Sequence, residues 1–316
     1  MPFVLDPQIA ENVATLFRDS GEMEPIGVGE IAARRAIFDK MQLMMFEQLP
    51  MPDDVTIMNF QALAQDGTSI ALRWYTKSNM TPGSAVLYAH GGGMIASNVE
   101  IYDRPVSRYV SATGVPFLSV AYRKAPEFPA PVPVTDCYSG LQWLAENAET
   151  LGVQPDRIAV MGDSGGGGIA ASLAIYARDH AGPDIAKQIL IYPMLDDRNT
   201  VPDDAFTTWI PWSYDDNITS WGALLGSAAG GGSVSPYAAA ARLDNFSGLP
   251  PAYIEVGELD IFRAENVDYA QRLYSAGISA ELHVHPGAPH AFETFAPAAD
   301  VSLRSAKRRH EVLALL

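Results

Sequence analysis

A single serine stands inside a run of glycines at residues 160–170, VMGDSGGGGIA, where Gly162-Asp163-Ser164-Gly165-Gly166 matches G-x-S-x-G. A short apolar run precedes it and small residues follow, so Ser164 is expected on a sharp strand-to-helix turn. Glycine has no side chain to bury and reaches backbone conformations that other residues reach only at a cost, so a cluster of glycines marks a tight turn or a close approach. A hydroxyl at that place suits nucleophilic attack, because the free amides and the dipole of a helix N-terminus favour developing negative charge. The same turn could cradle a phosphate, but the chain has no G-x-x-x-x-G-K-[ST] and no G-x-G-x-x-G opening its first βα unit.

A second glycine group, YAHGGGMIAS, sets His90, Gly91, Gly92 and Gly93 directly after the apolar run 85–89. Such a loop presents backbone N–H groups to an oxyanion, and a merely flexible turn would not account for a glycine triplet at the same strand-end position as the serine turn. A serine alcohol needs a base, and an imidazole base needs a carboxylate to hold its tautomer. Five histidines follow Ser164: His180, His283, His285, His290 and His310. His180 ends the helix that follows the serine, His283 and His285 alternate within the strand-like AELHVHP, and His310 sits in a basic helical run. His290, in PGAPHAF just past a strand, lies where open α/β sheets place their sites and is the expected base. For the acid, Asp260 and Glu258 share the loop of VGELDIF, while Asp196 and Asp197 follow the preceding strand; spacing alone leaves all four open.

These residues need a frame. Residues 6–19 and 29–45 repeat apolar residues at three and four and read as helices. VTIMNFQAL and TSIALRWYT alternate apolar and polar residues around AQDG, the pattern of an antiparallel hairpin. Thereafter short apolar runs alternate with helical stretches, which implies βα units and a parallel sheet buried on both faces. Strands are expected at 85–89, 115–121, 157–161, 188–192, 252–256 and 280–284, and helices near 103–113, 134–150, 165–181, 263–276 and from about 300. The stretch from about 195 to 248 is long, tryptophan-rich and poor in strand character; loops of that length carry function or structure of their own, and it reads as an inserted cap packing with the N-terminal helices.

Composition narrows the function classes. The 316 residues are 48% hydrophobic and 18% charged, typical of a globular chain with a sizeable core. A formal charge of −16 disfavours nucleic acid and anionic membrane surfaces. The basic run Lys307, Arg308, Arg309 and His310 reads as a solvated helix face, and Cys137, in an amphipathic helix, as a packing residue. No signal sequence, membrane anchor or long uninterrupted apolar stretch stands out, so a cytoplasmic protein is expected.

HGGG at 90–93, VAYRKAPEFPAPVP at 120–133, GDSGGG at 162–167, PPAYIEVGELD at 250–260 and PGAPHAF at 286–292 together resemble the hormone-sensitive-lipase-like (bacterial type IV) carboxylesterases, over about residues 85–295. The resemblance implies an α/β-hydrolase fold: a mostly parallel eight-stranded sheet flanked by helices, with a helical cap. Residues 1–50 would be an N-terminal cap segment and 51–316 the catalytic domain, with the cap insertion at about 195–248. It implies Ser164 as nucleophile, Asp260 as acid and His290 as base, and an oxyanion hole from the N–H groups of Gly91, Gly92 and Gly165. His90 would organise its own loop, and Tyr122 and Glu127 belong to a structural segment beside the site. Met94 and Trp209 are the expected substrate contacts. No metal or cofactor is required; the expected partners are a small-molecule ester and, at most, a second copy of the chain as a homodimer. Gly165 stands where the family usually has alanine, and DIFRAE replaces the usual sequence after the acid. A ligand receptor on the same fold, an amidase and a lactonase are the competing readings.

Overall fold

The structure, a computed structural model, describes residues 3–18, 26–80, 83–203 and 211–316. Eight strands form one sheet: β1 (Val55–Leu63), β2 (Ser69–Lys77), β3 (Ala85–Ala89), β4 (Phe117–Val120), β5 (Ile158–Asp163), β6 (Lys187–Ile191), β7 (Ala252–Gly257) and β8 (Ala280–His285), in the order β1-β2-β4-β3-β5-β6-β7-β8. The β1–β2 and β2–β4 pairs are antiparallel and all other neighbours are parallel. Every residue of β3, β4 and β7 is buried, as expected of strands covered on both faces. The fourth strand is shorter than its apolar run because Pro116, at its start, has no amide hydrogen to give the ladder.

The helices are α1 (Pro7–Leu16), α2 (Ile31–Glu47), α3 (Asp103–Thr113), α4 (Val132–Glu146), α5 (Ala148–Leu151), α6 (Gly165–Asp179), α7 (Tyr214–Leu225), α8 (Arg263–Ser275), α9 (Phe292–Phe295) and α10 (Asp300–Ala314). On one sheet face α4, α6 and α8 bury Leu141, Ile175 and Leu273 with Leu87, Val160 and Ile254. On the other, α3 and α10 bury Val106, Val110 and Leu313 with Val86, Phe117 and Met161. Cys137 is fully buried in α4. Among the described residues no helix is long and apolar enough to cross a membrane.

Two helices before the sheet have different neighbours. Asp6 caps α1, accepting from the amides of Gln8 and Ile9, and Ile9 packs with Ala288 and Phe292. The Asp6 amide donates to the Gly287 carbonyl at 2.9 Å. Helix α2 meets α7 instead: Arg34 Nε pairs with Asp216 Oδ1 at 2.7 Å, and the Gly29 amide donates to Thr219 Oγ1. In the segment 195–248, Trp212, Trp221, Ala239, Ala240 and Phe246 are buried in the main core. The basic run on α10 is not uniformly solvated: Lys307 is exposed and Arg308 pairs with Glu281, but Arg309 is buried on Glu255. A 3.6-residue period turns one of four consecutive residues inward, and the buried carboxylate on β7 compensates its charge.

Candidate active site

Ser164 forms the junction of β5 and α6, with φ 56° and ψ −123°. A non-glycine residue held there costs about 1–3 kcal/mol, and the surroundings enforce it. The Ser164 amide donates to the Ile191 carbonyl, and its own carbonyl accepts from the amides of Gly168 and Met194. The turn closes because its neighbours lack side chains. A Cβ at Gly162 would overlap the Gly166 backbone, and one at Gly166 would overlap the Ala89 and His90 carbonyl oxygens.

His290 lies past β8 with Nε2 2.9 Å from Ser164 Oγ and Nδ1 2.7 Å from Asp260 Oδ2. With the proton on Nδ1 donated to Asp260, Nε2 is the acceptor for the serine hydroxyl. Asp260 is wholly buried and accepts the Phe262 amide on Oδ1 at 2.9 Å. Tyr192 and Phe262 meet the His290 ring edge-on, at 4.7 and 5.2 Å. The other candidate acids are engaged elsewhere: Glu258 with the Gly287 amide, Asp196 with Arg198, Asp197 with Arg242. The other histidines are also placed apart from Ser164. His180 bonds the Tyr176 carbonyl, His283 faces Glu281, His285 faces Glu255, and His310 lies edge-on to Tyr109.

The glycine loop divides its duties. A Cβ at Gly91 would sit 2.7 Å from Asp163 Oδ2 and 2.8 Å from the Tyr102 hydroxyl, so Gly91 faces that pair. Gly92, at φ 109°, lines the cavity beside Ser164. Gly93, absent from the sequence expectation, abuts the elbow: a Cβ at Gly165 would lie 2.9 Å from the Gly93 nitrogen and 2.8 Å from the Met94 nitrogen. His90 is buried, stacks on Tyr122 at 4.4 Å and donates from Nδ1–H to the Gly91 carbonyl. Burial, with Lys124 nearby, holds its pKa down at about 3, so it is neutral. Met94 differs from expectation. Its side chain is buried toward Gly168 of α6 and is not among the residues lining the Ser164 cavity. Trp209 lies outside the described residues; Trp212 does line the cavity, 6.4 Å from the His290 ring.

Residues without an expected catalytic role support this centre. Asp163, next to the serine, accepts hydrogen bonds from the Tyr88 and Tyr102 hydroxyls; burial still raises its carboxyl. From α2, Arg35 reaches the Ile95 and Ala125 carbonyls and Glu127, and Asp39 accepts the Ser97 amide. The cavity at Ser164 holds about 60 Å³. An alcohol bonded to a carboxylate-held imidazole, beside glycine amides at a helix N-terminus, can perform acyl transfer.

Residues 86–294 match a family described as alpha/beta hydrolase fold. The chain is 37% identical over 230 residues to carboxylesterase NlhH of Mycobacterium tuberculosis, covering 67% of each. It is 29% identical to an ethyl acetate hydrolase of Pseudomonas putida, covering 87% of each. Among solved structures, a bacterial heroin esterase superimposes with a TM-score of 0.88 at 34% identity, over 98% of this chain and 97% of that one.

Proposed function

The chain belongs to the hormone-sensitive-lipase-like family of α/β hydrolases and is a carboxylic ester hydrolase; from that premise we propose that it cleaves short- to medium-chain acyl esters through a Ser164-His290-Asp260 triad. The observation that carries this reading is the continuous line from Ser164 Oγ through His290 to Asp260, at 2.9 and 2.7 Å.

In this reading Ser164 Oγ attacks the ester carbonyl while His290 Nε2 takes its proton, and the carbonyl oxygen becomes an oxyanion facing the amides of Gly92, Gly93 and Gly165. The Gly91 amide is the third donor expected from the sequence; its hydrogen bond to the Tyr102 hydroxyl supports giving that role to Gly93 in this reading. Collapse of the tetrahedral intermediate breaks the C–O bond, and His290 returns the proton to the departing alcohol. Water, deprotonated by the same ring, then releases the acid from Ser164. Asp260 keeps the Nδ1–H tautomer and stabilises the imidazolium formed in both steps. The small cavity at Ser164 and the ethyl acetate hydrolase among the relatives support short acyl groups.

Hydrolysis of p-nitrophenyl acetate and butyrate tests the reading. Ser164→Ala is expected to lower kcat by about 10³-fold or more without unfolding the chain; a variant retaining wild-type turnover overturns it.

A further inference from the structure

Beyond the nucleophile, between the sheet and helices α3, α9 and α10, lies a chamber of about 410 Å³. It shares Tyr102, Asp163 and Tyr192 with the cavity at Ser164, so the two are neighbours across those side chains. Packed helix-on-sheet layers leave few voids larger than a water molecule, and small-ligand pockets begin at about 300 Å³. The chamber is therefore of ligand size.

Its walls are aromatic and its floor is polar. Ser302, Ala306 and Arg309 recur at helical spacing on α10 and line it, with Glu293 from α9 alongside. Arg309 is 3% exposed. Its Nε binds Glu255, and its Nη1 reaches the Tyr109 hydroxyl at 3.0 Å and Glu293 Oε1 at 2.6 Å. Nη2 of Arg309, Oε2 of Glu293 and Oγ of Ser302 are buried with no hydrogen-bond partner among the described residues. Buried polar atoms are nearly always paired, and leaving them unpaired is costly.

A cationic donor and a carboxylate acceptor, both unsatisfied on one ion pair, match a neutral group that accepts and donates at once. An anion would meet the carboxylates of Glu293 and Asp163, which face the same space. A plain alkyl terminus would leave all three atoms unsatisfied. We propose that this chamber receives the far end of the ester, and that Arg309, Glu293 and Ser302 there recognise a hydroxyl or carboxamide group. The proposal rests on the esterase reading and gives it a substrate class: esters with a hydrogen-bonding group remote from the scissile bond.

Two matched pairs test it in a pH-stat: ethyl octanoate against ethyl 8-hydroxyoctanoate, and octyl acetate against 8-hydroxyoctyl acetate. In at least one pair the hydroxylated ester is expected to show about fivefold or more higher kcat/KM, because a site built to bond a hydroxyl rejects the analogue lacking it. That ratio is expected to fall to about one or below in Ser302→Ala, which removes a single oxygen, and in Ala306→Phe, which fills the chamber. Reading a ratio on one enzyme preparation separates a specificity change from a folding loss. Preference for the alkyl ester in both pairs, or a hydroxyl preference that survives both substitutions, overturns the proposal while leaving ester hydrolysis standing. Failure of the wild type to cleave any of the four while it cleaves p-nitrophenyl acetate overturns this proposal alone; failure on p-nitrophenyl acetate as well overturns the esterase reading with it.

Discussion

Arg35 Nε donates to the Ile95 carbonyl at 2.6 Å, which ties helix α2 to the loop that carries Gly92 and Gly93. The same guanidinium holds the Ala125 carbonyl and both oxygens of Glu127. Hydrogen bonds to charged groups contribute about 1.5–3 kcal/mol each, and here they hold the loop whose amides face the oxyanion in the proposed mechanism. Arg35→Ala is expected to lower kcat about tenfold at a smaller change in KM. Steady-state kinetics on p-nitrophenyl butyrate checks this, and unchanged kcat would show that α2 does not position the loop.

Restoring the alanine common in the family at position 165 is expected to be harmful here. The new Cβ would press on the Gly93 and Met94 nitrogens, which are backbone atoms with no rotamer to change. Losing one well-placed oxyanion donor costs about 3 kcal/mol, so Gly165→Ala should lose activity by tenfold or more. A gain in kcat would show instead that the loop is free to move.

Asp260→Asn keeps the shape of the acid but offers an amide where a carboxylate accepted the Nδ1 proton. The imidazole then presents Nε2–H to Ser164 and cannot take its proton, a change that costs about 10⁴ in kcat in enzymes built this way. Glu258→Gln is expected to leave kcat within about twofold, because Glu258 bonds the Gly287 amide rather than His290. Comparing the two variants on one substrate distinguishes the acids.

Acid stability should depend on Glu255. Burial alone would raise its carboxyl, but the Arg309 guanidinium and the His285 ring outweigh burial and hold it at about 2, against an ordinary 4.5. The unfolded chain therefore binds this proton first as pH falls, so the stabilisation is complete above pH 4.5 and disappears toward pH 2, on the order of 3 kcal/mol. Asp163, raised by burial, has the opposite sign: its contribution is full below its ordinary value and is lost as pH rises through the raised one. Urea unfolding between pH 5 and 2 should show a falling midpoint that flattens when Glu255→Leu is combined with Arg309→Met. Removing either partner alone leaves a buried charge and should cost about 3–5 kcal/mol.

Much of this centre could be read from local patterns. The elbow, the strand ends and the choice of His290 over four other histidines depend on motifs within a few residues of each other. What escaped was set by side-chain direction or by distant segments. Nothing in HGGG says that Gly91 faces Asp163 and Tyr102 while Gly93 faces the elbow, or that the Met94 side chain packs toward Gly168. From sequence Arg309 reads as one of four solvated basic residues because its partner, Glu255, stands 54 positions earlier on β7. The polar chamber draws on α3, α9 and α10, which no window of sequence brings together.

The link between Asp6 and Gly287 has a practical consequence. Helix α1 is moored to the loop three residues before His290, with Ile9 wedged under Phe292 two residues after it. A shortened enzyme that begins at α2 would lose this tie and leave the loop carrying His290 held by its bonds to Glu258, Leu259 and Asp260. A change at the amino end therefore reaches the surroundings of His290, some 280 positions away in sequence.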